Sequence, residues 1–84
     1  MKGKIKITTD LVKFLEVSGS CKNDVYLCTE SGDRLNLKSK LSQYVVIVLA
    51  HNKELLENSI LVFDEEDRKL LEQFLESEKN NELK

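Results

Sequence analysis

Apolar and polar positions alternate from Lys2 to Thr8 at the beginning of the chain. Ile5 and Ile7 fall on one side of this segment, and the residues between and around them are polar. A period of two residues is typical of a strand with one buried face, because successive side chains point to opposite sides of the backbone. The pattern therefore predicts a first strand whose isoleucines face the core.

After this segment the apolar residues follow the spacing of a helix. The positions that share its inner face are Leu11, Phe14, Leu15 and Ser18. Thr9 is a suitable N-cap, Asp10 places a negative charge in the first turn, and Gly19 is a natural stop. We therefore expect a helix of about ten residues, which is an ordinary length in globular proteins.

Two further amphipathic segments are separated by a turn. The first covers residues 24–29, with Val25 and Leu27 on its inner side. Ser-Gly-Asp at 31–33 favours a tight turn, and a short amphipathic segment over 34–37 follows it. Alternating segments on both sides of a short turn predict a β-hairpin.

The segment after the hairpin carries an apolar stripe at helical spacing, and Ser39 is a suitable N-cap for it. The stripe consists of Leu41, Tyr44, Val45, Val48 and Leu49. The β-branched run at 45–48 is more typical of a strand, so a strand over 44–49 is the alternative. We prefer the helix and expect its stripe, Tyr44 included, to lie at least partly in the core.

A last strand and a last helix complete the pattern. We expect the strand over residues 59–63 and a helix capped by Asp64, with three more acids in its first turn, where negative charge is favourable. The predicted buried stripe of this helix is Leu70, Leu71, Phe74 and Leu75. Residues 79–84 are polar, and we expect a frayed tail there.

The element order is therefore βαββαβα in a single domain over residues 1–84. Amphipathic strands and helices in this order predict an α+β fold, an open-faced two-layer sandwich. In this fold three helices cover one face of a four-stranded antiparallel sheet. The two sheet edges leave room for a homo-oligomer.

Composition narrows the classes of function. The chain has 84 residues, of which 40% are hydrophobic and 33% charged, as in one globular domain. The net charge of −2 disfavours nucleic acid as a partner unless the lysines at 2, 4 and 6 dominate one face. The apolar run at 44–50 is too short to span a membrane, and the first residues lack a secretory signal. We therefore expect a cytoplasmic protein whose Cys21 and Cys28 stay reduced.

No residues form a catalytic or metal-binding motif in the sequence. Cys21 and Cys28 do not have the spacing of a metal or redox site, and His51 has only Glu54 near it as a candidate co-ligand. The acids at 64–67 lack the glycine turn of a calcium loop. We therefore expect a protein without cofactor, metal or enzymatic activity.

The chain resembles the histidine-containing phosphocarrier protein (HPr) family of the bacterial sugar phosphotransferase system. The clearest segment is DVYLCTESGDRLNLKS at 24–39. It is similar to the family's second strand, tight turn, third strand and the Lys-Ser pair that opens its second helix. Residues 10–21 resemble the first helix, and residues 59–76 resemble the last strand and helix. The resemblance implies the same element order.

The family's phosphoryl-accepting histidine has no counterpart in this chain. In the family it lies in a loop between the first strand and the first helix, followed closely by Arg-Pro. Here residues 1–29 contain no His, Arg or Pro, and the stretch 39–60 is several residues longer than in the family. The resemblance therefore implies a divergent, non-catalytic member of the family that acts by protein–protein interaction and takes part in the regulation of carbon metabolism. The alternative is an active phosphocarrier that uses a non-standard residue.

The resemblance also implies candidate site residues. Ser39 matches the family's regulatory serine, which an ATP-dependent kinase phosphorylates in some bacteria, although its role as N-cap is an alternative explanation. Family partners dock on the first helix, the active loop and the second helix, and a basic rim around an apolar centre suits an acidic protein partner. The partner-binding candidates are Lys13, Lys38, Lys40, Leu41 and Gln43.

Overall fold

Residues 1–6 and 9–76, which the computed structural model describes, form four antiparallel strands and four helices. The elements are β1 (Lys2–Gly3), α1 (Leu11–Ser20), β2 (Tyr26–Cys28), β3 (Arg34–Asn36), α2 (Lys40–Leu49), α3 (Lys53–Glu57), β4 (Ile60–Val62) and α4 (Arg68–Leu71). Short 3-10 turns over Glu65–Asp67 and Glu72–Phe74 flank α4. The mixed α+β class with a four-stranded antiparallel sheet is therefore confirmed.

The sheet has the strand order β1-β4-β2-β3. One row across it joins Gly3, Leu61, Leu27 and Leu35, and the leucines at 61 and 27 are fully buried. The neighbouring row joins Lys2, Val62, Tyr26 and Asn36, none of which is fully buried. Because side chains alternate along a strand, the first row faces the core and the second faces the open side of the sheet.

The helices pack on the face of the sheet that carries Leu27 and Leu61, where they share one apolar core. Phe14 of α1 and Phe74 after α4 meet edge to face, with ring centroids 5.3 Å apart. This arrangement of two aromatic rings is favourable beyond the area that it buries. Val46 of α2 and Leu71 of α4 complete the same core, and both are fully buried.

The predicted turn of the hairpin is confirmed at 31–33. Gly32 has a φ of +99°, in a region that side chains with a Cβ rarely adopt. Its backbone N–H donates to the carbonyl of Thr29 at 3.0 Å, and the N–H of Thr29 donates to the carbonyl of Asp33 at 2.9 Å. The glycine therefore sets the register in which β2 and β3 pair.

The ends of the first two elements differ from the prediction. Asp10, and not Thr9, caps α1, because its carboxylate accepts the backbone N–H of Lys13 at 3.2 Å. The helix continues past Gly19 to Ser20, and the chain becomes extended at the next residue. The first strand is reduced to Lys2–Gly3 with an isolated bridge between Ile5 and Leu75. Its predicted end, Ile7–Thr8, and the predicted tail at 79–84 lie outside the described residues.

The prediction of three helices was wrong, because the second helical region is divided into α2 and α3. The helix is confirmed over 44–49, where a strand was the alternative. At its end the hydrogen bonds shorten to i→i−3: the N–H of His51 donates to the carbonyl of Val48 at 3.2 Å. Asn52 is then extended and caps α3 by accepting the N–H of Glu54 at 3.0 Å. Because Asn52 is an extended N-cap, the second helical region does not continue as one helix, and α3 begins as a separate helix.

The last helical region is less regular than the single helix that the sequence predicted. Its N-cap is confirmed, since the carboxylate of Asp64 accepts the N–H of Glu66 at 2.9 Å. Leu71 and Phe74 are buried as expected, but Leu70 is 48% exposed. Because only four residues have α-helical geometry, the inner face is narrower than a continuous helical stripe would give. No helix in the described part of the chain has the length and apolar character needed to cross a membrane.

Candidate interaction surface on the second helix

The start of α2 is fixed by Ser39. Its backbone is extended, and its Oγ accepts the N–H of Ser42 at 3.4 Å. Such a cap satisfies a donor that the first turn leaves without a partner. The ten residues that follow contain neither glycine nor proline, so the helix forms despite its β-branched residues.

The inner side of α2 is held by one apolar and one polar side chain. Val46 is fully buried in the core. The Nε2 of Gln43 donates to the carbonyl of Leu37 at 2.7 Å and to that of Leu15 at 3.2 Å. These bonds join α2 to the end of the hairpin and to α1. The amide nitrogen of Gln43 is therefore engaged within the protein, and its contact with a partner stays a prediction.

The outer side of α2 is apolar: four of the five residues of the predicted stripe are exposed and not in the core, and the fifth, Leu49, is half-buried as expected. Leu41 is 74% exposed, Tyr44 65%, Val45 36% and Val48 56%. We call these four residues the α2 stripe. They occupy positions i, i+3, i+4 and i+7, so they form one continuous ridge on the helix. A helix of this length extends about 15 Å.

Charge is nearly absent from this helix. Lys40, at its first position, is the only charged residue between Lys40 and Leu49. The lysine before the cap, Lys38, donates from Nζ to the backbone carbonyl of Cys21. Lys13 is exposed near the start of α1, and among the described residues its ammonium makes no hydrogen bond or salt bridge to α2. Lys40 and Leu41 therefore lie together in the first turn of α2, whereas the ammonium of Lys38 is engaged by the loop after α1 and Lys13 lies on a different helix.

Ser39 is exposed between its two lysines. A phosphate on its Oγ would lie at the N-terminus of α2, where the backbone N–H groups and the helix dipole favour negative charge. The same hydroxyl already serves as the cap. The geometry is thus compatible with both roles that the sequence suggested.

A buried carboxylate that the sequence did not single out lies behind this surface. Asp67 is only 1% exposed. Its Oδ1 accepts the backbone N–H of Lys22 at 2.9 Å, and its Oδ2 accepts that of Asn23 at 3.0 Å and the side-chain amide of Asn23 at 3.3 Å. The carboxylate therefore joins the loop after α1 to the start of the last helix.

The surroundings of Asp67 act on its pKa in opposite directions. Burial alone would raise the pKa of this carboxyl, because it disfavours the charged form. The hydrogen bonds from Lys22 and Asn23 and the positive charge of Lys38 act the other way and prevail, so the pKa of Asp67 lies below its ordinary value. The group is therefore ionised at neutral pH.

Cys21 lies near the same charges. Burial raises the pKa of its thiol, the negative charge of Asp67 raises it further, and the positive charge of Lys38 only partly opposes both. The thiol is 2% exposed and donates to the carbonyl of Val17 at 3.4 Å. A protonated, buried thiol is a poor nucleophile, so Cys21 has a packing role.

No local sequence signal could have identified Asp67 as a structural residue. It is one of four consecutive acids, and the others are exposed. Its partners lie 44 and 45 positions earlier in the chain, so only the folded structure brings them together.

Comparisons with known protein families, with characterised proteins and with solved structures find no match to this chain. Within the described residues, no three His, Cys, Asp or Glu side chains are grouped so that they could hold a metal ion. The α2 stripe and the resemblance of the sequence to the HPr family are therefore the features of this chain that bear on its function.

Proposed function

We propose that this chain is a divergent, non-catalytic member of the HPr family that binds a protein partner through the α2 stripe. The observation that carries the proposal is the exposure of four large apolar residues along one ridge of a capped helix. The element order β-α-β-β-helices-β-α and the hairpin at 24–39 support the family assignment.

An exposed ridge of this kind has a physical consequence. Single exposed apolar residues are ordinary on a protein surface, but a contiguous apolar ridge favours contact with another molecule. Residues at i, i+3, i+4 and i+7 are the positions at which a helix anchors in a partner's groove. Tyr44 lies in the middle of the ridge, and tyrosine often makes large contributions to binding.

Charge indicates what borders the partner's groove. Lys40 flanks the stripe at the N-terminal end of α2, and Lys38 precedes it. Acidic residues around an apolar groove would attract Lys40 and steer the approach of the partner, while the ammonium of Lys38 donates to the backbone carbonyl of Cys21. The stripe would supply most of the binding free energy, since exposed ion pairs contribute little.

The absence of the phosphocarrier histidine supports a non-catalytic role. Phosphoryl transfer through histidine needs an exposed imidazole at a helix N-terminus. The segment before α1 contains no histidine, and His51 lies beyond the far end of α2. The residues at the position of the family's active loop have no comparable nucleophile.

Photo-cross-linking in the native cells tests the proposed surface. A photoreactive phenylalanine analogue at Tyr44 is expected to capture one protein, whereas the same analogue at Asp33, in the exposed hairpin turn, is not. With the captured protein purified, Tyr44→Ser should weaken binding by about 30-fold or more, as expected for an interface anchor. Leu70→Ser, on α4 at 48% exposure, is the matched control and should have little effect. Equal capture at both positions, or unchanged affinity of Tyr44→Ser, would refute the surface.

A second assay tests the non-catalytic role against an active phosphocarrier. The protein is incubated with phosphoenolpyruvate and the first enzyme of the phosphotransferase system, with a histidine-containing family member as positive control. We expect phosphoryl transfer to the control and none to this chain. An acid-labile phosphoryl adduct on this chain would show that a non-standard residue carries the group.

A further inference from the structure

The open face of the sheet carries a groove that is separate from the α2 stripe. Its volume is about 980 Å³, and it extends over β1 and β4. Cys28, Ile60 and Val62 form an apolar floor, and all three are half-buried. They alternate with the fully buried Leu27 and Leu61, so they lie on the side of the sheet away from the helices.

A row of lysines borders this groove. Lys2, Lys4 and Lys6 all line it and all are exposed. They alternate with Gly3, which pairs with Leu61 on the core side, and with Ile5, which is 3% exposed. The three ammonium groups therefore share one face, with roughly 6.6 Å between successive residues of the row.

Three further charged residues line the groove, and one of them, Glu76, lies beside Lys4, to whose carbonyl its backbone N–H donates at 2.8 Å. The other two are Arg68 and Glu72, and the Nε of Arg68 is 4.0 Å from the carboxylate of Glu72. No salt bridge to the three lysines is found among residues 1–6 and 9–76. In a chain with a net charge of −2, the basic residues that line this groove (Lys2, Lys4, Lys6 and Arg68) therefore outnumber the acidic ones (Glu72 and Glu76).

We infer that this groove binds an extended acidic segment of a partner protein, in which acidic and apolar residues alternate. The inference rests on charge complementarity and spacing. Alternate residues of an extended peptide have the same separation as the lysines of the row, so its carboxylates can face successive ammonium groups. The side chains between them then point to the other side, towards the floor formed by Cys28, Ile60 and Val62.

The segment would lie on the face of the sheet and not add to its edge. Beyond β1 the edge is already occupied: the N–H of Lys6 donates to the carbonyl of Phe74 at 2.8 Å. The N–H of Glu76 donates to the carbonyl of Lys4, also at 2.8 Å. Main-chain pairing with an added strand is therefore blocked at Lys4 and Lys6, and recognition must depend on side chains.

The floor is less suited to single-stranded nucleic acid. Binding of this kind uses exposed aromatic rings on which bases stack. Phe63 is the aromatic residue that lines the groove, and it is only 4% exposed. The ring of Tyr26, on the same sheet face, is covered by the guanidinium of Arg34 at 4.1 Å from the ring centroid. An apolar floor of aliphatic side chains fits a peptide better.

The inference is independent of the function proposed for α2 and is tested with a synthetic probe. A fluorescein-labelled decapeptide of alternating Glu and Leu is titrated with the full chain, and fluorescence anisotropy is measured at low and high salt. We expect saturable binding that weakens with salt, and no binding of the Gln–Leu peptide of the same length. Absence of binding by the Glu–Leu peptide would overturn the inference.

Cys28 reports directly on the floor of the groove. Its rate of alkylation by iodoacetamide is expected to fall by about fivefold or more at saturating peptide, because the bound segment covers it. This measurement uses the unaltered protein, and Cys21, which is buried in the core, should stay unmodified throughout and so shows that the protein remains folded. Unchanged alkylation of Cys28 at saturating peptide would place the peptide elsewhere and refute the site.

Charge reversal locates the contact. The variant Lys2→Glu/Lys4→Glu/Lys6→Glu should bind the Glu–Leu peptide at least about tenfold more weakly. The control variant Lys13→Glu/Lys22→Glu/Lys40→Glu changes the net charge equally but leaves the groove intact, and it should bind within about twofold of the unaltered protein. Equal loss in both variants, or tighter binding of labelled oligouridylate or of anionic lipid vesicles than of the peptide, would contradict the inference.

Discussion

A single buried carboxylate determines how the loop after α1 meets the last helix. Asp67 accepts two backbone N–H groups, from Lys22 and Asn23, and no other side chain takes on this task in the described residues. Buried N–H groups without an acceptor are costly, so the effect of Asp67 on stability exceeds that of a surface acid.

We therefore predict that Asp67→Asn destabilises the protein by about 2 kcal/mol. An amide has only one acceptor oxygen, so one backbone N–H would face another donor. Equilibrium denaturation with urea measures the change. The control Glu65→Gln alters an exposed acid in the same turn and should cost less than about 0.5 kcal/mol. Equal effects of the two substitutions would show that the bonds of Asp67 are not important for folding.

The lowered pKa of Asp67 predicts a specific dependence of stability on pH. The ordinary pKa of an aspartate is 3.8, and that of folded Asp67 is lower. Folding therefore favours the charged form, and the resulting stability is complete above about pH 4 and is lost as pH falls towards the folded pKa. The difference in free energy of unfolding between the unaltered protein and Asp67→Asn should be constant from pH 5 to 8 and shrink below about pH 4. A difference that is the same at pH 3 and pH 7 would contradict this.

Two buried serines should respond to alanine in opposite ways. Ser18 of α1 is fully buried, and its Oγ has no hydrogen-bond partner among the described residues. Ser59 is also buried, but its Oγ donates to the carbonyl of Leu55 at 2.8 Å. We expect Ser18→Ala to stabilise the protein by about 0.5–1 kcal/mol and Ser59→Ala to destabilise it by about 1 kcal/mol. Thermal unfolding of both variants measures this, and a lower midpoint for Ser18→Ala would contradict it.

At the scale of the element, α2 shows what periodicity can and cannot reveal. The spacing of Leu41, Tyr44, Val45 and Val48 correctly predicted a helix with these residues on one face, and Ser39 correctly marked its start. The pattern could not show that this face is the exposed one. The inner face is held by the hydrogen bonds of Gln43 to two backbone carbonyls. The acceptors of a glutamine side chain cannot be predicted from the sequence pattern.

The cap of α2 gives a prediction at this scale. Ser39→Ala should destabilise the protein by about 0.5–1 kcal/mol, because the N–H of Ser42 loses its acceptor, while Ser39→Asp should retain stability. Urea denaturation measures both. If the HPr-type kinase phosphorylates the chain, labelling by ATP should disappear in Ser39→Ala. Labelling that persists in this variant, or no labelling of the unaltered protein, would contradict the regulatory role of Ser39, and only its role as the N-cap of α2 would remain.

At the scale of the whole molecule, the order of elements was largely predictable and the long-range contacts were not. Alternation and turn chemistry located the β2–β3 hairpin and β4, since these depend on neighbouring residues. The pairing of β1 with β4, the bridge between Ile5 and Leu75, and the contacts of Asp67 join distant parts of the chain. No local pattern encodes them. The sequence named Leu41 as a partner-binding candidate, and its role in binding stays a prediction; the exposure of the rest of the α2 stripe became visible only in three dimensions.

The fold presents two different surfaces, the uncharged α2 stripe and the lysine-bordered groove on the open sheet face. Chemical-shift mapping by NMR of the ¹⁵N-labelled chain with the protein captured at Tyr44 tests most directly which surface carries the proposed function. We predict perturbations centred on Lys38–Val48 and absent from the hairpin turn. Perturbations confined to the last helix or to the open sheet face, with Lys38–Val48 unchanged, would contradict the assignment of the α2 stripe as the partner-binding surface.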